Sequence, residues 1–193
     1  MIHVSVKLIA VKNVSWHIIK LSRLVTRRLF AICLIRERQG SAVLSDLLIE
    51  DLVQLNVEAS NWEDAIRKSA QPLVDNKKVT EGYVDDIIKG VNELGPYIVI
   101  TEHVALPHAR PESGALEPAV GIVVLKNPVE FGSKDNDPVK FLFPLAAKDS
   151  DGHLSALQSL VELLSDPDFF AQLEKAQSPK DVVDLVHAKE GRL

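Results

Sequence analysis

From Leu44 onward the apolar positions follow two rhythms. Leu52 to Val57 alternates with period two, which predicts a half-buried strand. Ser60-Asn61-Trp62-Glu63 has the Ser-x-x-Glu spacing of a capping box and opens a helix. Its buried face carries Ala65, Ile66, Ser69, Ala70, Leu73 and Val74. After a polar break at Asp75 to Lys78, Thr80 is placed to cap a second helix. Tyr83, Val84, Ile87, Ile88, Val91 and Leu94 form its stripe, and Gly95-Pro96 ends it. Tyr97 to Ile100 reads as a short strand, Ala119 to Leu125 as a buried central one, and Val139 to Ala146 as another. A third helix starts near Gly152 or His153, with Leu154, Leu157, Leu160, Val161 and Leu164 inward. Asp166-Pro167 breaks it before a short helix to about Ala176. Ser178-Pro179, a cap followed by proline at the first helical position, opens the last helix.

The link from Leu125 to Val139 is too short and polar for a crossover helix, so those strands are expected to be antiparallel neighbours. The expected fold class is α/β, a mixed sheet with helices on both faces. Between the strands lies a long loop, Thr101 to Pro118.

The first forty residues read differently. They hold eight Lys/Arg against Glu37 alone, whereas the rest holds 14 basic and 26 acidic residues. Their apolar part, Val14 to Leu34, is interrupted by charge and predicts neither a membrane span nor a signal peptide. Arg36-Glu37-Arg38-Gln39-Gly40 can be written in purine-rich codons resembling a ribosome-binding site. A basic amphipathic helix lying on a membrane surface is one reading of this segment; the favoured expectation is that residues 1–42 are a basic extension from a mis-assigned start, with the working domain at 43–193. The acidic body argues against nucleic-acid binding and suits basic protein partners. One cysteine, Cys33, excludes an internal disulfide. No zinc pattern and no glycine-rich nucleotide loop is present, so no metal or cofactor is expected.

The candidate chemistry lies in Ala105-Leu106-Pro107-His108-Ala109-Arg110-Pro111-Glu112. Prolines on both sides stiffen the loop around His108. His153 sits where a helix begins after a buried strand, the usual ligand region of α/β sheets. A helix start favours anions and disfavours imidazolium. A neutral imidazole is a good nucleophile toward phosphorus when its other nitrogen keeps the proton, and a carbonyl of the stiff loop could accept that proton's hydrogen bond. A loop histidine is ordinarily a surface residue, and a histidine at a helix start ordinarily a cap, so the pattern leaves both readings open. Arg110 is open in the same way, as a phosphate clamp, a partner contact or a solvated charge.

Three stretches together resemble a known family: Thr80-Glu81-Gly82-Tyr83-Val84-Asp85-Asp86-Ile87, the Pro107-His108-Ala109-Arg110 core, and His153-Leu154 opening an apolar helix. They are similar to the type-2 IIA component of the phosphoenolpyruvate-dependent sugar phosphotransferase system, the mannitol/fructose class. Leu94 to Tyr97 and Pro107 to Gly114 look most like its ascorbate-specific branch. The resemblance implies a cytoplasmic phosphocarrier of the corresponding fold. His108 would take phosphate from HPr and pass it to a cysteine of a IIB component working with a membrane IIC. His153 would be the second active-site histidine, stabilising the phosphoryl group. Mannitol-type members carry an arginine where this chain has Gly90, which favours the other branch. A different class is also implied: nitrogen-type IIA proteins share the fold and histidine but regulate other proteins. Self-association is left open.

Overall fold

In the computed structural model the described residues are 44–148, 150–166 and 168–191, with backbone alone for residues 150–155. Residues 1–42, and the expectation of a separate basic extension there, lie outside them.

The elements are α1 (Leu44–Leu47), a 3-10 turn (Glu50–Leu52), β1 (Val53–Val57), α2 (Trp62–Asp75) and α3 (Glu81–Leu94). There follow β2 (Val99–Thr101), β3 (Val104–Ala105), a 3-10 turn (Pro111–Ser113), β4 (Ala119–Val120), β5 (Ile122–Val129), β6 (Val139–Leu142) and β7 (Leu145–Ala146). The chain ends in α4 (Ser150–Leu164), α5 (Phe169–Leu173) and α6 (Pro179–Glu190). Five strands form one sheet in the order β1-β5-β6-β3-β2, and β4 pairs with β7. β1 and β5 are parallel, β5 and β6 antiparallel, β6 and β3 parallel, β3 and β2 antiparallel. The sheet is mixed, and the antiparallel β5–β6 pair joins Val124 to Phe141 as the short polar connection requires.

Strand alternation sends successive side chains to opposite faces. Val123, Leu125, Leu142 and Ala105 pack with Ile66, Leu73, Tyr83 and Ile87 of α2 and α3. Ile122, Val124, Phe141 and Val104 pack with Leu44, Leu160, Phe169, Val182 and Val186 on the other side. Helices therefore cover both faces.

Several boundaries differ from expectation. α2 is capped by Asn61, not Ser60: Asn61 Oδ1 accepts from Asp64 N at 2.9 Å. Ser60 instead donates its N–H to the Asp64 carboxylate, and that bond, more than the nearby Lys68, holds Asp64 below the usual carboxylate range. Thr80 is the cap residue of α3, but its side chain accepts no capping bond; its N–H donates to Gly114 O. Tyr97 lies in a turn, and the strand begins at Val99. The long loop contains β3, reached through a tight turn in which His103 has φ +65°. The run from Ala119 breaks at Gly121, where a Cβ would come within 2.9 Å of Pro144 and 3.0 Å of the Leu52 carbonyl. Pro144 divides β6 from β7 in the same way, since it has no N–H to give a ladder. On α4, Val161 is exposed, and Ala156 and Leu163 are the buried positions beside Leu160. Ser178 caps α6 in a reciprocal capping box with Asp181.

Candidate functional site

His108 is placed by a backbone ladder that continues past β3. Phe143 N donates to Ala105 O and Leu145 N to Pro107 O, both at 2.9 Å. Leu106 N donates across the other side to Ile98 O at 2.8 Å. The segment Val104 to Pro107 is thus held on both edges, and Val104, Ala105, Leu106 and Pro107 are all buried. His108 is the first residue to emerge, half-buried at the carboxyl end of this strand. Because β3 and β6 run parallel, both finish at the same end of the sheet, and the bond from Leu145 N to Pro107 O keeps β7 beside the loop.

Its imidazole is oriented from its own loop. Nδ1 lies 2.7 Å from the Leu106 carbonyl oxygen. A carbonyl only accepts, so Nδ1 carries the proton and, in the neutral ring, the lone pair is on Nε2. That is the tautomer a nucleophilic Nε2 requires.

Two tyrosines hold the main chain around the ring. The buried Tyr83 hydroxyl accepts from Ala109 N at 3.0 Å and donates to Leu145 O at 2.8 Å; Ala109 O, at 3.1 Å, is a second acceptor. Burial pushes the Tyr83 phenol above its ordinary pKa. Tyr97 donates its hydroxyl to His108 O at 3.2 Å and meets the imidazole edge-on, with centroids 5.7 Å apart. Partial burial raises its pKa too. The loop closes onto α3 through Thr80 N to Gly114 O, at 3.0 Å, and the Val79–Ala115 bridge.

Arg110 is exposed on the solvent side of the loop and has no ion pair among the described residues. His153 lies in the first turn of α4; its side chain is outside the described residues. The sequence located the loop and raised the general idea of a loop carbonyl as acceptor; that the acceptor is Leu106 O comes from the structure. It placed Tyr83 on an apolar stripe and in the family-like stretch 80–87, and Tyr97 in a strand and in the stretch 94–97, with no role for either hydroxyl. Their hydroxyls are the part that pattern reading passed over, since periodicity reports burial and not what a buried hydroxyl reaches. A usable signal was Gly90, an unexplained glycine inside a helix one turn before Tyr97's turn.

Among the described residues no group of His, Cys, Asp and Glu is arranged to hold a metal ion, and no helix is long and apolar enough to cross a membrane. The chemistry open to this arrangement is attack by the Nε2 of an imidazole whose Nδ1 proton is held by a backbone carbonyl.

Known proteins carry the same arrangement of chain. The family model for the phosphoenolpyruvate-dependent sugar phosphotransferase system, EIIA 2, matches residues 46–189. The mannitol-specific cryptic phosphotransferase enzyme IIA component of Escherichia coli (strain K12) is 36% identical over 143 residues, covering 74% of this chain and 97% of the relative. The ascorbate-specific PTS system EIIA component of the same strain is 36% identical over 145 residues, covering 74% and 94%. The solution structure of the cryptic mannitol protein from Escherichia coli superposes with a TM-score of 0.68, covering 75% of this chain and 98% of that one. A match that spans the body from α1 into α6 settles the question of kinship: the chain belongs to the EIIA 2 family of the phosphoenolpyruvate-dependent sugar phosphotransferase system.

Proposed function

We propose that this chain is a phosphoryl carrier that accepts phosphate on His108 Nε2 from phospho-HPr and delivers it to the cysteine of a IIB component, in the cytoplasm, for a membrane IIC. The observation that carries the reading is the 2.7 Å contact between His108 Nδ1 and the Leu106 carbonyl. It keeps the proton on Nδ1 throughout. In the first step the Nε2–P bond forms as the P–N bond of phospho-HPr breaks. In the second, a IIB thiolate attacks phosphorus and the imidazole leaves with its Nδ1 proton still in place. Phosphoryl transfer of this kind asks for in-line positioning and charge stabilisation. His153, in the first turn of α4, is assigned the stabilising role, since a helix start favours the phosphoryl charge. Arg110, exposed beside the loop, is assigned to the phosphate or to the approaching partner.

The proposed cargo is ascorbate or a related sugar acid. It is supported by the ascorbate-specific relatives and by Gly90. The mannitol-specific cryptic relative stands at the same identity, so the acceptor must discriminate.

Incubation with phosphoenolpyruvate, enzyme I and HPr should add one acid-labile phosphate, absent in His108→Ala. No mass gain on the unaltered protein overturns the reading. Offered an ascorbate-type or a mannitol-type IIB, the phosphoprotein should discharge faster to the former; the reverse order reassigns the cargo.

A further inference from the structure

We propose that Tyr97 is a positioning residue for His108, and that Gly90 is the gap on α3 that allows it. Two contacts from one side chain reach the reacting residue. The hydroxyl donates to the His108 carbonyl at 3.2 Å. The phenol ring meets the imidazole at 81°, with centroids 5.7 Å apart. The first contact fixes the peptide plane that follows His108, whose other edge, Ala109 N–H, is held by Tyr83. The second stands in the way of the imidazole swinging about its side-chain torsions. The Leu106 carbonyl sets which nitrogen is protonated; Tyr97 restricts where the other one points. A transferring group must be held to within about 10–20° of its productive direction.

The position of Tyr97 follows from the end of α3. Gly95, at φ +83°, takes the left-handed step that ends the helix, and Tyr97 N donates to Gly95 O at 2.8 Å. The chain turns back, and the phenol lies against the flank of α3 at Gly90. A Cβ built there would meet the Tyr97 hydroxyl oxygen at 3.1 Å, Cε1 at 3.4 Å and Cζ at 3.6 Å. The tightest of these contacts is with the atom that holds His108. Glycine inside a helix is disfavoured relative to alanine because it loses more backbone freedom. Here the missing methyl has a use: it leaves the phenol where the loop needs it. Tyr97 remains 40% exposed, so the ring also forms part of the surface a partner meets on its way to His108.

The rate arm of the test rests on the phosphoryl-carrier reading; the spectroscopic arm does not. Unaltered protein, Tyr97→Phe, Gly90→Ala and the double variant are compared by single-turnover transfer from phospho-HPr and by imidazole 15N–1H resonances of His108. Tyr97→Phe keeps the ring and removes the hydroxyl; it should slow transfer about tenfold, the scale of a sub-ångström misplacement. Gly90→Ala should slow transfer less and shift the His108 ring resonances, although alanine is the better helix former. The double variant should be no slower than Tyr97→Phe alone, because the atom the new methyl presses on is gone. Rates and resonances unchanged in both single variants, or effects that simply multiply, overturn the proposal. If the unaltered protein takes no phosphate, the carrier reading fails. The ring resonances then decide the case for Tyr97 alone: shifts in both single variants sustain it, and unmoved resonances overturn it.

Discussion

His108 Nδ1 lies 2.7 Å from the carbonyl oxygen of Leu106, two residues earlier in the same loop. The acceptor is backbone held on both edges, through Leu106 N to Ile98 O and Leu145 N to Pro107 O, so it cannot turn away without opening a ladder. The neutral ring is therefore locked as the Nδ1–H tautomer. Long-range 15N–1H spectra of the neutral ring should show Nε2 as the unprotonated nitrogen. In the phosphoprotein the phosphorus coupling should appear on Nε2. Coupling to Nδ1 would contradict the assignment.

Tyr83→Phe should cost about 1–3 kcal/mol in urea unfolding, because Ala109 N–H and Leu145 O both lose their partner in a buried place. It should also change the alkaline behaviour. Burial raises the folded-state pKa of Tyr83, so above its ordinary value the unfolded chain releases a proton that the folded chain retains. Stability from this group is intact below about pH 10 and falls as pH rises further. Thermal melts from pH 8 to 11 should fall less steeply in the phenylalanine variant; parallel curves would count against this.

Gly114→Ala should cost at least about 2 kcal/mol. Gly114 has φ +120°, and a Cβ there would lie 2.1 Å from Thr80 Oγ1. Thr80→Ala removes that atom, so the double variant should recover part of the loss and leave the backbone strain. Urea midpoints of the four proteins check this; strictly additive losses would rule out the clash.

The ammonium of Lys189 is buried against Asp166 at 2.6 Å, with Lys189 8% exposed. Asp166→Ala strands that charge and should cost about 1–3 kcal/mol, the partly exposed carboxylate keeping the figure below that of a fully buried pair. Lys189→Met leaves only the more exposed carboxylate and should cost less. The order of the two urea midpoints is the measurement, and a larger loss for Lys189→Met would reverse the account.

The antiparallel β5–β6 pair, both helix layers and the His108 loop were legible from the sequence because each has a local cause. Short polar connections, helical stripes and paired prolines are written in neighbouring residues. β3 was not legible: two residues, Val104 and Ala105, show no period, and their parallel partner is β6, far along the chain. Its entry turn is built on Glu102 and His103, without the glycine or asparagine that marks most tight turns. The cap of α2 moved by one residue because Ser60 and Asn61 are both good caps and only geometry chooses between them. Tyr97 was read as a strand residue from its type, and only the backward turn after Gly95 shows that it faces His108.

The ladder beneath His108 has a consequence for synthesis. It is completed by Leu145, 62 positions beyond the tyrosine that bridges it to the loop. Until Leu145 has left the ribosome, the edge that β6 and Phe143 give to the segment before His108 lacks its last bond, the one to Pro107 O, and non-local pairing of this kind forms late. A nascent chain halted before Leu145 would already display Pro107-His108-Ala109-Arg110 and still lack the bonds from Leu145 N to Pro107 O and from the Tyr83 hydroxyl to Leu145 O. The loop is thus written early in the chain and finished late, so full order around His108 marks a body whose synthesis has passed Leu145.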